Sequence, residues 1–132
     1  MRNAGLVISM LSAGAIVLGC ASDQVLGPDN QLEVANIADN FQAQATALDN
    51  VSQTLTYTWQ MTGTVGNVNQ SGTVTGGSGS MTILDGSGIQ VYTKGLDQTG
   101  TFQTSPGTAG DWTIQIELHG MSGVLNVRVQ KP

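Results

Sequence analysis

From Leu32 onward the chain alternates apolar and polar residues with a period of two, which points to half-buried strands. Leu55, Tyr57, Trp59 and Met61 share one parity, and Thr54, Thr56, Thr58 and Gln60 share the other. Trp112, Ile114, Ile116 and Leu118 alternate in the same way with Thr113, Gln115, Glu117 and His119. Leu125, Val127 and Val129 oppose Asn126, Arg128 and Gln130. A strand with this pattern buries one face and wets the other, whereas a helix would scatter the apolar residues around its circumference. Strands are predicted at 41–48, 54–61, 71–75, 80–84, 88–94, 100–104, 111–119 and 123–130.

Turn-forming residues punctuate these runs. Asp85-Gly86-Ser87-Gly88 is a strong hairpin signal between two of them. Residues Pro106–Gly110 separate another two, and Gly120-Met121-Ser122-Gly123 is predicted to close a final hairpin. Only 32–40 has any helical character, and its β-branched residues and missing cap argue against a helix. Together these features predict an all-β antiparallel sandwich of about 7–8 strands over residues 32–132.

Charge narrows the list of partners. Only 10% of residues are charged, well below the usual share, and the net charge is −5. Beyond Arg2, the cations are Lys94, Arg128 and Lys131, too few and too dispersed to form the basic patch that nucleic acid requires. The same balance repels an anionic membrane surface, so membrane attachment must be hydrophobic or covalent.

The amino-terminal segment supplies a covalent route. Arg2 is followed by an uncharged run from Leu6 to Leu18, short of the ~20 residues that span a bilayer and suited to the core of a signal peptide. That run ends in Val17-Leu18-Gly19-Cys20, and Cys20 is the only cysteine. This segment resembles a bacterial lipoprotein precursor, with an aliphatic residue three positions before the cysteine and a small one directly before it. Leu18 is bulkier than the Ala, Ser or Thr usual at its position. The resemblance implies cleavage between Gly19 and Cys20, a diacylglyceryl thioether on Cys20 and acylation, such as by palmitate, of the new amino terminus. Ala21, rather than Asp, follows the cysteine, which by the same resemblance favours the outer membrane, on its periplasmic leaflet or surface. One acyl chain gives only marginal attachment at about 0.8 kcal/mol per buried CH₂, so several chains make a durable anchor. Residues 1–19 are thus expected to form a helical signal peptide that is removed, and 20–31 the lipid attachment and a tether. Fully extended, residues 21–31 reach at most ~40 Å.

A second resemblance concerns residues 81–130. Ile83-Leu84-Asp85 through Gly88 to Val91-Tyr92, then Gly110-Asp111-Trp112-Thr113-Ile114, then Val127-Arg128-Val129, resemble the end of a bacterial immunoglobulin-like or fibronectin-like accessory domain. It implies an immunoglobulin-like architecture without the cysteine pair of antibody-type domains, and it implies no function.

Candidate catalytic groups are scarce. His119 is the only histidine and lies on the polar face of its strand. Gly77-Ser78-Gly79 and Gly86-Ser87-Gly88 lack the strand–turn–helix setting of a nucleophile elbow. Gly76-Gly77-Ser78-Gly79 has no following lysine and is no phosphate loop. Asp85 and Asp97 offer loop oxygens but no calcium-loop ligand series. The acids read as turn formers. No catalytic residue, metal site or cofactor is predicted, and the chain is read as a non-enzyme. Trp59 and Trp112 read as core. Tyr92 has opposite parity to Ile89 and Val91 and is the candidate exposed ring for ligand contact.

Two functions follow from these expectations. One is a lipid-anchored, non-catalytic interaction or structural module of the cell envelope, with self-assembly through uncharged strand edges left open. The other is a carbohydrate- or peptide-binding module on the cell surface. Its partner would be an envelope protein or a glycan.

Overall fold

Two very long strands, β2 (Asn40–Met61) and β7 (Gly110–Gln130), organise the chain in a computed structural model that describes Leu26 and residues 28–132. Around them lie β1 (Glu33–Ile37), β3 (Asn67–Gln70), β4 (Thr73–Leu84), β5 (Gln90–Gly95) and β6 (Gly100–Gln103). All pairings are antiparallel, and no α-helix occurs among the described residues. The predicted leader helix and most of the predicted tether lie outside the described residues.

β2 and β7 pair along their whole length, from Asn40 opposite Gln130 to Met61 opposite Gly110. Their register slips three times between Ala45 and Gln53, and Gly120 and Gly123 on β7 adopt φ of 57° and 126°. Such bulges bend a ribbon sharply without ending it, and they make the corners at which strands pass from one sheet to another. The ribbon therefore contributes to two layers. Its Asn40–Ala45 and Leu125–Gln130 portion carries β1 on one side and β3 with β6 on the other. Its Gln53–Met61 and Gly110–Leu118 portion carries β4 and β5. The layers face one another as a β-sandwich.

The core between them follows the alternation. Phe41, Ala43 and Ala45 look inward from one layer, and Leu55, Trp59, Met61, Ile114 and Ile116 from the other. The Phe41 and Tyr57 rings lie 5.2 Å apart, and the Trp59 indole N–H donates to the Ile37 carbonyl at 2.9 Å, joining the layers.

Several predicted strands turn out to be halves of longer ones. Segments 41–48 and 54–61 are one strand, as are 71–75 with 80–84, and 111–119 with 123–130. Gly120–Gly123 is thus an in-strand bend and not a hairpin turn. Glycine is needed there because the backbones almost touch: a Cβ on Gly123 would sit 2.1 Å from the Thr73 carbonyl oxygen, and one on Gly77 as close to that of Gly120. The Asp85–Gly88 hairpin forms as its sequence predicts, closed by Asp85 and Gly88 backbone hydrogen bonds. Segment 32–40 is strand and turn, with Asp39 at φ 65° turning β1 into β2.

Packing begins earlier than Leu32. Leu26 is buried and its N–H donates to Gln53 Oε1 at 2.7 Å, while the Asn30 side chain donates to the Ala47 carbonyl at 2.9 Å. The outer edge of β2 supplies these partners. Asn36 Nδ2 and Asp39 N also cap it, at the carbonyls of Thr58 and Gln60. An otherwise open edge is thereby partly closed to other chains.

Candidate binding face

Buried residues dictate what the opposite faces display. In the first layer, Phe41, Val68, Val127 and Val129 point inward, so Gln42, Gln44, Asn69, Asn126, Arg128 and Gln130 point outward. The register aligns Ala35, Gln42, Arg128, Asn69 and Thr101 in one row across five strands. The adjoining row runs Ile37, Asn40, Gln130, Asn67 and Gln103. This face is a lattice of amides with one guanidinium near its middle and one carboxylate, Glu33, at its edge.

Part of the lattice is held in place. Asn69 Nδ2 donates to Thr101 Oγ1 at 3.1 Å, and Gln103 Nε2 donates to Asn67 Oδ1 at 3.2 Å. Two shallow depressions lie in it. One of about 160 Å³ is lined by Asn67, Asn69, Thr101, Arg128 and Gln130. Another of about 250 Å³ is lined by Glu33, Val34, Ala35, Gln42 and Gln44. Neither is large enough to enclose a small molecule, for which sites of roughly 300–1,000 Å³ are usual.

Arg128 differs from the other described cations. The Lys94 ammonium lies 4.4 Å from the Phe102 ring centroid. Lys131 donates to Thr62 Oγ1 at 2.9 Å and lies 4.0 Å from Asp39 Oδ2. Among the described residues, Arg128 has no such partner. Its guanidinium donors are open to solvent.

The second layer turns Thr54, Thr56, Thr58, Thr82, Thr93 and Gln115 outward. Its hydroxyls satisfy one another in places, as between Thr82 and Thr93 at 3.0 Å. His119 is on this face, exposed, with Nε2 3.7 Å from Glu117 Oε1. An exposed pair of this kind contributes little. No hydroxyl nucleophile is held against His119 among the described residues.

Tyr92 is not the exposed ring that its parity predicts. Leu84 pairs with Gln90 but Ile83 with Tyr92, so Val91 is an extra residue on β5 and the parity inverts there. Val91 and Tyr92 both face inward, and Tyr92 is only 7% exposed. Its hydroxyl donates to Gln70 Oε1 at 2.7 Å, and burial pushes its pKa up to about 12. Gln70, itself buried, donates through Nε2 to the carbonyls of Gly95 and Gln98 at 2.9 and 2.8 Å. This is structural glue between layers and leaves no ring for a ligand. Gly19 and Cys20 lie outside the described residues.

Asp85 is likewise committed to structure. Its Oδ1 accepts from the N–H groups of Ser87 and Ile89, both at 2.9 Å, and its Oδ2 from that of Thr108 at 2.8 Å. Asp97 is exposed, and no group of three or more metal-ligating side chains forms among the described residues. The Thr108 N–H, then that of Ile89, hold the Asp85 carboxyl below the ordinary carboxylate range, with burial opposing them in part. Asp39 is lowered too, first by the backbone N–H of Thr62 and then by its hydroxyl.

Lowered folded-state values stabilise the fold fully above the unfolded carboxylate pKa, and that stabilisation is lost as pH falls from there through the lowered folded-state pKa. The urea midpoint is therefore expected to fall between about pH 5 and pH 2. Asp85→Asn should lower the midpoint at neutral pH and flatten that acid dependence. A variant with the wild-type pH profile would show that these bonds do not matter.

Amides and a lone arginine match no catalytic motif, so this face carries no signature of chemistry in the sequence. Its sequence signal is the wet parity of 41–45 and 125–130, which carries amides where mixed charges are usual. No family model matches the chain, and no curated protein matches it.

Proposed function

We propose that the chain is a lipid-anchored, non-catalytic module of the bacterial cell envelope, held at the outer membrane and acting through binding at its exposed sheet faces. The observation that carries this reading is Val17-Leu18-Gly19-Cys20 at the end of the uncharged run after Arg2. Acyl chains on Cys20 are its membrane contact, since a net charge of −5 gives no electrostatic attraction to anionic lipid.

The packing of Leu26 sharpens the geometry. Between Cys20 and Leu26 the chain can reach at most ~20 Å, half of what a tether to Gln31 allows. Leu26 and Asn30 dock beside Gln53 and Ala47, at the folded-over end of the sandwich. On this reading that end lies nearer the lipid than the strand ends at Met61, Gly110 and Gln130.

Replacing Cys20 with serine tests the anchor. Wild-type protein is expected in the membrane fraction, resisting extraction by salt and alkali but not by detergent, and Cys20→Ser in the soluble fraction. Equal membrane retention of the variant would refute lipid attachment through Cys20. A second reading, a carbohydrate-binding module, is favoured by the amide face and no longer depends on Tyr92.

A further inference from the structure

We infer that the amide face around Arg128 is a binding site for a carboxylate-bearing polysaccharide. The inference deepens the proposed role of an envelope binding module but does not require the anchor to be correct.

The local charge at Arg128, set against a chain net charge of −5, selects a single carboxylate contact. Among the described residues the Arg128 guanidinium has no ionic partner, and it projects from the middle of a face whose one carboxylate, Glu33, lines the depression on the far side of Gln42. The anionic group of the ligand is therefore taken at Arg128, and the Glu33 side receives hydroxyls. Its planar array of donors matches a carboxylate in bidentate geometry. The neighbours of Arg128 select the rest of the ligand. Gln42 and Asn69 stand directly opposite it on the two adjoining strands. A side-chain amide both donates and accepts, so a pair of them can bridge vicinal hydroxyls. Asn69 is already oriented by Thr101, which reduces the ordering required on binding.

Shape points to a polymer. The depressions on either side of the Gln42–Arg128 pair are separated by about two strand spacings, roughly 10 Å, longer than one sugar ring, so only a chain of several units can reach both. Each is open and too small to bury a free ligand, so an extended chain lying across the strands fits them better. An acidic peptide is the competing polymer. Peptides are usually taken up along a sheet edge, with pockets for alternate side chains, whereas this face offers a flat lattice of polar groups in mid-sheet. The lattice contains no aromatic platform, so single-site affinity is low. Many copies on one membrane compensate through multivalency.

The test uses the full chain in detergent micelles, titrated with a galacturonic acid tetramer and followed by the NMR signals of the Asn69 and Gln42 side-chain amides. Those signals are expected to shift on titration. A neutral glucose tetramer should bind at least about tenfold more weakly, as should the uronate to Arg128→Gln, in keeping with a charged hydrogen-bonded contact. Arg128 is exposed, and an unchanged backbone spectrum would confirm that the variant folds. Gln115→Ala, on the opposite face, should bind as wild type. Absence of uronate binding, equal binding by Arg128→Gln, shifts confined to the Thr56–Gln115 face, or tighter binding of a hexaglutamate peptide would each overturn the inference. Cys20→Ser in the same titration separates the two proposals: if it binds uronate normally but leaves the membrane, both stand, and if wild type is unlipidated yet binds, only the anchor falls.

Discussion

Replacing Trp112 with alanine is expected to destabilise the domain by about 3–5 kcal/mol, the usual cost of removing a fully buried indole. Trp112 has no exposed surface and lies opposite Trp59 in the β2–β7 register, edge-to-face, with ring centroids 6.0 Å apart. Its indole N–H donates to the Thr108 carbonyl at 2.8 Å, tying the loop before β7 to the core. Alanine leaves a cavity, removes the aromatic pair and frees that loop. For a domain of this size the thermal midpoint should fall by roughly 10–20 °C. Trp112→Phe keeps much of the packing and should cost less than half as much. A loss below about 1 kcal/mol for the alanine variant, measured by urea unfolding at unchanged slope, would contradict the two-layer core.

Gln70→Leu should be nearly as damaging, although it preserves size and adds apolar character. Leucine cannot accept from the Tyr92 hydroxyl or donate to the Gly95 and Gln98 carbonyls; the hydroxyl is buried and the two carbonyl bonds are partly so. Unsatisfied buried polar groups cost about 1–3 kcal/mol each where water cannot reach them, so a net loss of about 2–4 kcal/mol is expected. Tyr92→Phe in the same background removes one of the stranded partners. The double variant should therefore lose less than the sum of the singles, by about 0.5–2 kcal/mol. Strict additivity would show that the Tyr92–Gln70 hydrogen bond does not couple the layers. Ionisation of Tyr92 gives a related sign: its raised pKa favours the fold below about pH 10, and that contribution is lost as pH climbs toward 12.

Alternation alone makes most of the core legible in the sequence. The inward sets Leu55–Met61, Trp112–Leu118 and Leu125–Val129 are assigned correctly because a strand's period is insensitive to what it pairs with. Continuity is less legible. Glycines at 76–79 and 120–123 look like turns because the same φ freedom that closes a hairpin also bends a strand in place. What decides between them is the long-range approach of β4 to β7, at Gly77 against Gly120 and Gly123 against Thr73, which no local window contains.

Tyr92 illustrates the same limit in the opposite direction. Parity counts residues, and the extra residue at Val91 shifts the count by one, so a ring predicted to be wet is buried. Gln70 gives no local signal, because a glutamine at an inward position is stable only if partners arrive from β5 and the loop after it. The amide face is legible residue by residue, yet only the register brings Gln42, Arg128 and Asn69 side by side.

Whether Cys20 carries lipid and holds this sandwich at a membrane is tested most directly by the intact mass of protein extracted from membranes. The expected species is a polypeptide beginning at Cys20 and heavier than its amino-acid mass by a diacylglyceryl group and a further acyl chain, with fragment ions placing the excess on Cys20. An unmodified chain, whether beginning at Met1 or at Ala21, would contradict lipid anchoring.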